Sequence, residues 1–249
     1  MKARKARLLL VLLMTLLVSL TVGTQGLAAG PLSELYFYNH GEVGGLHTLD
    51  TTSHRLLTEY TIDNIGYDCK SYVNIPAGPA SSGSVIRTLA SDAVFHISCH
   101  AGPGRMATVS NGQITRLSAK AVADDAVYSL AYNFDNTTNK LKKIKVAYWL
   151  GCNTYGTDST YGSLNQKSID LGVDAAITHT DETYPSRSNL FAYKFYWYLY
   201  DGVTVSQALL DAKAFALSQY NNDAEVTVTV KTYVSGSSST KIVPAAYGS

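Results

Sequence analysis

The chain has 249 residues, of which 46% are hydrophobic and 16% charged, and its formal net charge is +1 at pH 7. This composition is typical of a globular protein, and the lack of a basic stripe excludes a protein built to bind nucleic acid. Three cysteines are too few for a disulfide framework, and their odd number leaves at least one thiol free or paired with another chain.

A secretory signal peptide is predicted at residues 1–29. Four basic residues precede an apolar run over residues 8–22, and small residues follow it. Cleavage is expected after Ala28 or Ala29, with an uncleaved N-terminal anchor as the alternative. The remaining 16 basic and 19 acidic residues give a net charge of −3. No later apolar run is long enough to cross a bilayer, so we expect one exported domain over residues 30–249, without membrane contact after cleavage.

The first half of this domain alternates apolar runs with turn-forming segments. Residues 46–60 are ambiguous and fit a short strand followed by a helical turn around Leu56, Leu57 and Tyr60. In chain order the other predicted elements are strands over 35–39 and 67–75, a Pro/Gly/Ser-rich loop over 76–83, a short helix over 85–90 and a strand over 94–98.

The second half continues the alternation. Asn111-Gly112 predicts the tight turn of a hairpin over 106–117. Gly202 fits a left-handed helix end, and the spacing of Thr204 and Gln207 fits the capping box of the next helix, which runs to about residue 220. The other predicted elements are helices over 124–131, 164–171 and 189–200, strands over 146–150, 173–178 and 226–233, and polar loops over 133–139 and 156–162. Together they predict a mostly parallel α/β sheet with helices on both faces and an antiparallel hairpin added.

Two of the apolar strands end in a side chain that can do chemistry. His100 follows one in FHISCHAGPG, and Cys152 follows the other in KVAYWLGCNTYG. Ligands bind at the carboxyl edge of a parallel sheet, and a thiolate nucleophile needs an adjacent base. A lone cysteine is more often a buried apolar residue, and a lone histidine in a turn is often structural. The pair at matching strand ends therefore carries the prediction of a His100–Cys152 dyad.

The remaining cysteines and histidines indicate no further chemistry. Cys99 points away from the face of His100, so we assign it to the core or to a disulfide with Cys69. No carboxylate or cysteine lies at ligand spacing from the other histidines that stand out, so neither a metal nor another cofactor is predicted. These histidines are His40, His47, His96 and His179.

These stretches resemble the caspase-like cysteine peptidases, the clan of caspases, gingipains, clostripain-like enzymes and separase, and above all its CHAT-type bacterial members. FHISCHAGPG is similar to the family's strand ending in His-Gly, and VAYWLGCNTYG to the strand ending in the nucleophile. The longest similar stretch runs from GVDAAITHTDE through the two helices that follow, so the resemblance spans about residues 93–216. It implies a caspase-like three-layer α/β sandwich.

The resemblance also implies an activity, that of a secreted bacterial cysteine endopeptidase acting on a protein or peptide. Cys152 would be the nucleophile and His100 the general base or acid, the N–H groups of Ala101 and Cys152 would form the oxyanion hole, and the acyl-enzyme would be a thioester. Candidate substrate-pocket residues are Gly102, Asn153, Asp181 and Glu182.

Two departures from the family pattern leave alternatives open. Ala101 replaces the usual glycine, and Leu150 stands where clostripain-like enzymes carry an acid that reads a basic P1 side chain. That specificity therefore does not transfer, and Asp181 and Glu182 either line the pocket instead or are solvated loop acids. A non-catalytic binding protein on the same fold is the main alternative, and another thiol acyl-transferase, sortase-like or amidase, is a third. The sequence does not specify an oligomeric state.

Overall fold

The computed structural model of the chain describes residues 30–78, 84–134 and 140–249. The predicted signal peptide and parts of the predicted loops over 76–83 and 133–139 lie outside the described residues. Residues 31–249 form one compact unit.

The described part of the chain contains ten strands and seven α-helices. The strands are β1 (Leu32–Phe37), β2 (Asp68–Val73), β3 (Val94–Ser98), β4 (His100–Gly102), β5 (Arg105–Ser110), β6 (Gln113–Ser118), β7 (Val127–Ser129), β8 (Val146–Leu150), β9 (Ala175–His179) and β10 (Thr232–Gly236). The helices are α1 (Thr52–Ile65), α2 (Val85–Thr88), α3 (Leu130–Asn133), α4 (Leu164–Asp170), α5 (Pro185–Tyr200), α6 (Val205–Gln219) and α7 (Ala224–Thr229).

Six of these strands form the central sheet, in the order β10-β9-β8-β3-β1-β2. All neighbours pair in parallel except β10, which is antiparallel to β9. A second, four-stranded sheet has the order β4-β5-β6-β7 and is built on the β5–β6 hairpin. The predicted mostly parallel sheet with an added hairpin is confirmed.

Helices cover both faces of the central sheet, which explains why its inner strands are buried along their whole length. On β8, Ala147 and Trp149 pack into the core beneath α2, α3 and α4. Val146, Tyr148 and Leu150 alternate with them and pack beneath α1, α5, α6 and α7. The result is a three-layer sandwich with a separate apolar core on each side of the sheet.

Several local predictions are confirmed by backbone geometry. Asn111 and Gly112 both have positive φ angles, 50° and 74°, as the turn between β5 and β6 requires. Gly202, just after α5, has φ 80°. Thr204 accepts a hydrogen bond from the Gln207 N–H at 3.3 Å at the start of α6.

The structure corrects or resolves three of the predicted elements. The strand predicted over 226–233 is wrong: α7 occupies its first part, and the strand is β10. Asp223 caps α7 by accepting from the Val226 N–H at 2.7 Å, and Val226 and Thr229 are buried one helical turn apart. The helix predicted over 124–131 is wrong over most of its length, because residues 127–129 form β7, which pairs with β6, and α3 begins only at Leu130. The ambiguous region over 46–60 contains the first half of α1.

The suggested Cys69–Cys99 disulfide is also wrong, because all three cysteines are free. Cys69, on β2, packs against the core on the α1 and α5 side. Cys99, just after β3, is buried in the core on the other side, as its alternative assignment predicted. The two thiols therefore point to opposite faces of the sheet.

Candidate active site

His100 and Cys152 lie at the same carboxyl edge of the central sheet, at matching positions on adjacent strands. In the parallel β3–β8 pair, Ser98 is opposite Leu150, and each residue of the predicted dyad comes two positions later. The Cys99 N–H donates to the Leu150 carbonyl at 3.2 Å, so pairing continues beyond the end of β3. Both residues therefore follow the end of the same strand pair at one edge of the sheet.

A cavity of about 450 Å³ opens at this edge, and both His100 and Cys152 line it. Its wall is formed by the loop after β1, the ends of β3 and β8, and the start of α5. Other lining residues include His47, Leu150, Asn153, Glu182, Thr183 and Asn189.

A backbone carbonyl fixes the orientation of the His100 ring. His100 Nε2 lies 2.8 Å from the His47 carbonyl oxygen. Because a carbonyl can only accept, Nε2 carries the proton and Nδ1 is left as the basic nitrogen. Desolvation by burial lowers the pKa of His100 below its ordinary 6.5, and the nearby His40 and His47 lower it further, against the opposing effect of the His47 carbonyl. The ring is therefore neutral near pH 7 and can accept a proton.

The loop between β1 and α1 supplies this acceptor and a second imidazole. The loop is closed by His40 and Leu49, whose backbones exchange two hydrogen bonds of 3.0 Å. The His40 ring lies 5.4 Å from the His100 ring, centroid to centroid. His40 Nδ1 donates to the Gly41 carbonyl at 2.7 Å, while Nε2 is buried without a partner. The sequence singled out both loop histidines but gave them no role.

The sulfur of Cys152 is held by Thr183. Cys152 Sγ lies 3.4 Å from the Thr183 backbone N, 3.5 Å from its Oγ1 and 3.8 Å from its carbonyl oxygen. The turn is fixed beyond the thiol, where Asn153 has φ 52° and its N–H donates to the Asp181 carbonyl at 3.0 Å. Within the described part of the chain, no hydrogen bond joins the sulfur directly to His100. In this loop the sequence predicted a role only for Asp181 and Glu182.

The backbone beside the thiol fits an anion. The Cys152 N–H has no acceptor among the described residues. A side chain on Gly151 would lie 2.5 Å from Ala101 Cβ and 2.6 Å from the Cys99 carbonyl oxygen, so only glycine permits β4 to approach the turn this closely. Ala101, on β4, pairs with Met106 of β5. Its φ angle is not positive, so its backbone does not favour glycine.

The four candidate pocket residues separate into two pairs. Asn153 and Glu182 line the cavity, whereas Gly102 and Asp181 are not among its lining residues. Asp181 forms a 2.8 Å ion pair with Lys231, which holds the pKa of the aspartate below its ordinary value. Glu182 accepts a hydrogen bond from the Tyr184 hydroxyl at 3.1 Å.

The described residues contain neither a metal-binding cluster nor a membrane-spanning helix. Nowhere do three or more His, Cys, Asp or Glu side chains converge in a way that could hold a metal ion. Of the helices, none combines the length and apolar character of a membrane span.

Solved structures of other proteins share this fold, among them the following two. Gingipain R, an Arg-specific cysteine proteinase, aligns with a TM-score of 0.52 at 12% identity, over 84% of this chain and 47% of its own. Caspase-1 from Spodoptera frugiperda aligns with a TM-score of 0.50 at 10% identity, over 84% of this chain and 88% of its own. This chain thus spans about half the length of the gingipain chain.

At these identities the likeness shows the fold alone, and it confirms the predicted caspase-like α/β sandwich. No protein-family model and no curated protein matches the chain.

Proposed function

We propose that this protein is a cysteine endopeptidase in which Cys152 is the nucleophile and His100 its base. One observation carries the proposal: the two residues stand at matching positions beyond the Ser98–Leu150 pair and line one cavity. The caspase-like fold supports it, because both similar structures are named as members of cysteine peptidase groups.

The chemistry follows from the tautomer of His100. Nδ1 takes the proton from the Cys152 thiol, while Nε2–H stays on the His47 carbonyl. The thiolate attacks the scissile carbonyl carbon, and the new oxyanion is stabilised by the N–H groups of Cys152 and Ala101. His100 then returns the proton to the leaving amine, which leaves a thioester. Water, deprotonated by His100, hydrolyses the thioester and frees the thiol.

The substrate-free geometry fits this sequence of steps. The sulfur rests on Thr183, and a bound peptide would bring it into line with Nδ1, as catalytic hydrogen bonds commonly tighten when substrate binds. Glu182 is the carboxylate of the cavity lining and forms no ion pair with any of the described residues, which favours a substrate with a basic side chain near the scissile bond. Gingipain R carries an arginine specificity in its name.

A positional-scanning peptide library tests the activity and the P1 preference together. Wild type and Cys69→Ala, which changes a thiol outside the cavity, are expected to cleave the same peptides, whereas Cys152→Ala is expected to cleave none. Removing a catalytic base typically costs 10²- to 10⁴-fold, so His100→Ala should lose about that much kcat/KM. Undiminished cleavage by Cys152→Ala would overturn the mechanism, and wild type that binds peptides without cleaving them would favour the binding-protein alternative.

We further propose that residues 1–29 are a cleaved signal peptide and that the mature domain acts outside the cytoplasm. Intact mass of the protein collected from the medium of an expressing bacterium should begin at Ala29 or Gly30. Full-length chain retained in the membrane fraction would support the anchor instead. A bacterial origin and a kinship with the CHAT-type branch remain predictions of the sequence.

A further inference from the structure

We infer that Thr183 is a further catalytic residue of this site, whose backbone N–H and hydroxyl hold the Cys152 sulfur as a thiolate. The inference rests on the proposed function, since it assigns a role in activating the same nucleophile.

The contacts of Thr183 suit both forms of the sulfur. A thiolate accepts from the N–H at 3.4 Å and from the hydroxyl at 3.5 Å. A protonated thiol can instead donate to the carbonyl oxygen at 3.8 Å or to Oγ1. The thiol can therefore lose its proton and exchange one set of bonds for another without moving, which limits the reorganisation that ionisation requires.

The surrounding backbone keeps Thr183 in place. The Asp181 carbonyl accepts from the Asn153 N–H at 3.0 Å, which ties the segment before Thr183 to the turn that carries the thiol. After it, the Tyr184 N–H donates to Thr229 Oγ1 at 3.1 Å, which ties the segment to the end of α7. One tie is to the turn that carries the thiol and the other to a helix, so the donor geometry at the sulfur is preorganised.

The position of Thr183 in the chain adds to its effect. The 16-residue helix α5 begins two residues later, at Pro185, so the positive end of its dipole lies beside the sulfur. N–H donors and helix N-termini are the features that favour thiolate over thiol in reactive cysteines. The titratable groups that face the sulfur or share its cavity are Glu182, Tyr184, Cys99, His47 and His100, and of these the neutral imidazole of His100 serves as the proton acceptor.

The pH dependence of Cys152 alkylation tests the inference without requiring any peptidase activity. Iodoacetamide labelling of the full chain, quantified at Cys152 by peptide mass, is compared for wild type, Thr183→Val and Thr183→Ser. Burial raises the pKa values of the Cys69 and Cys99 thiols, so these sites should label slowly in every variant. Thr180→Val is the matched control. Thr180 lies on the same loop as Thr183, but its hydroxyl donates to the Lys231 carbonyl and not to the sulfur.

Thr183→Val removes one donor to the thiolate and keeps the branched shape of the side chain. We expect its labelling midpoint to rise by about one pH unit and its rate at pH 6 to fall about tenfold, as for a hydrogen bond to a charged group. The limiting rate at high pH should not change, since access to the sulfur is preserved. Thr183→Ser and Thr180→Val should match wild type.

An unshifted midpoint in Thr183→Val, or an equal shift in Thr183→Ser, would overturn the inference. A fall in the limiting rate without a shift of the midpoint would also overturn it, because that result indicates a change of access. The proposed function fails separately: a chain that cleaves no peptide but shows the midpoint shift keeps the thiolate role of Thr183 and loses the peptidase assignment.

Discussion

At the scale of single residues, the site depends on which nitrogen of His100 is free. The His47 carbonyl accepts a hydrogen bond from Nε2–H, so Nδ1 is the base, and burial lowers the pKa of His100 below its ordinary 6.5. The His40 ring, 5.4 Å away, lowers the pKa of His100 further when it carries charge. The two loop histidines thus act on the base, one through its backbone and the other through its ring.

His40→Phe should therefore change the pH profile of the proposed reaction. The substitution keeps an aromatic ring beside His100 and removes its charge, so the pKa of His100 should rise. The acid limb of kcat/KM, along which activity is lost as the base becomes protonated, should move to higher pH while the plateau is kept. Glu42→Gln, on the exposed part of the same loop, is the control. An acid limb that stays in place, or moves to lower pH, would contradict the assigned role of His40.

Glu182→Gln tests the charge of the cavity. We expect kcat/KM for peptides with lysine or arginine at P1 to fall about tenfold, or ~1.4 kcal/mol, with little change for neutral P1 residues. Asp181→Asn is the matched control, because its carboxylate is already paired with Lys231 and is not part of the lining. Equal losses for basic and neutral peptides would show that Glu182 does not read substrate charge.

The sequence identifies part of this site, and the limit is physical. His100 and Cys152 could be predicted because reactive side chains at two strand ends leave a visible pattern. The His47 carbonyl could not, since every residue has one and only the course of the loop selects it. Thr183 was missed for a related reason: its N–H reaches the sulfur only because α5 begins where it does.

At the scale of elements, the segment from Asp223 to Gly236 shows where pattern reasoning fails. Its alternating valines and threonines favour a strand, yet α7 forms over the first part. The cap from Asp223, the burial of Val226 and Thr229 on one helical face, and the ion pair of Asp223 with Arg187 at 2.7 Å outweigh the β propensity. By contrast, the hairpin turn and the Thr204 cap were predictable, because each is encoded within a few neighbouring residues.

Asp223→Ala should accordingly lower the free energy of unfolding, since it removes a helix cap and a partner of Arg187. Asp223→Asn keeps an oxygen that can cap the helix and loses only the charge, so it should lower the free energy of unfolding less than Asp223→Ala does. Urea denaturation of both variants measures the difference. Equal losses would mean that the ion pair, and not the cap, holds α7 in place.

At the scale of the whole molecule, the three-layer α/β sandwich was predictable because its four buried parallel strands need helices on both faces. The sequence did not reveal how polar one of the two cores is. His54, His96 and His179 are at most 1% exposed and lie on the α1 and α5 side of the sheet. The His54 and His96 rings meet edge to face at 5.0 Å, and His179 Nε2 lies 3.0 Å from the Tyr148 hydroxyl.

This core should make the fold sensitive to acid. Desolvation lowers the pKa of His54 to about 3 and of His179 to about 4, and it holds the pKa of His96 well below 6.5. In the unfolded chain these three histidines bind protons near pH 6.5, whereas in the folded chain they do not. The stability that depends on these neutral histidines is therefore fully present above pH 6.5. As the pH drops toward 4, the free energy of unfolding falls by about 1.4 kcal/mol per pH unit for each histidine.

Thermal unfolding between pH 7 and 4.5 measures this slope. His54→Phe replaces a buried imidazole with an uncharged ring beside Phe37, whose ring lies 5.1 Å away. Since one of the three protons is then no longer taken up on unfolding, stability should depend less steeply on pH, by about one third. His47→Asn, which changes an exposed side chain, should leave the slope as in wild type. A slope equally steep in His54→Phe would contradict the contribution assigned to His54.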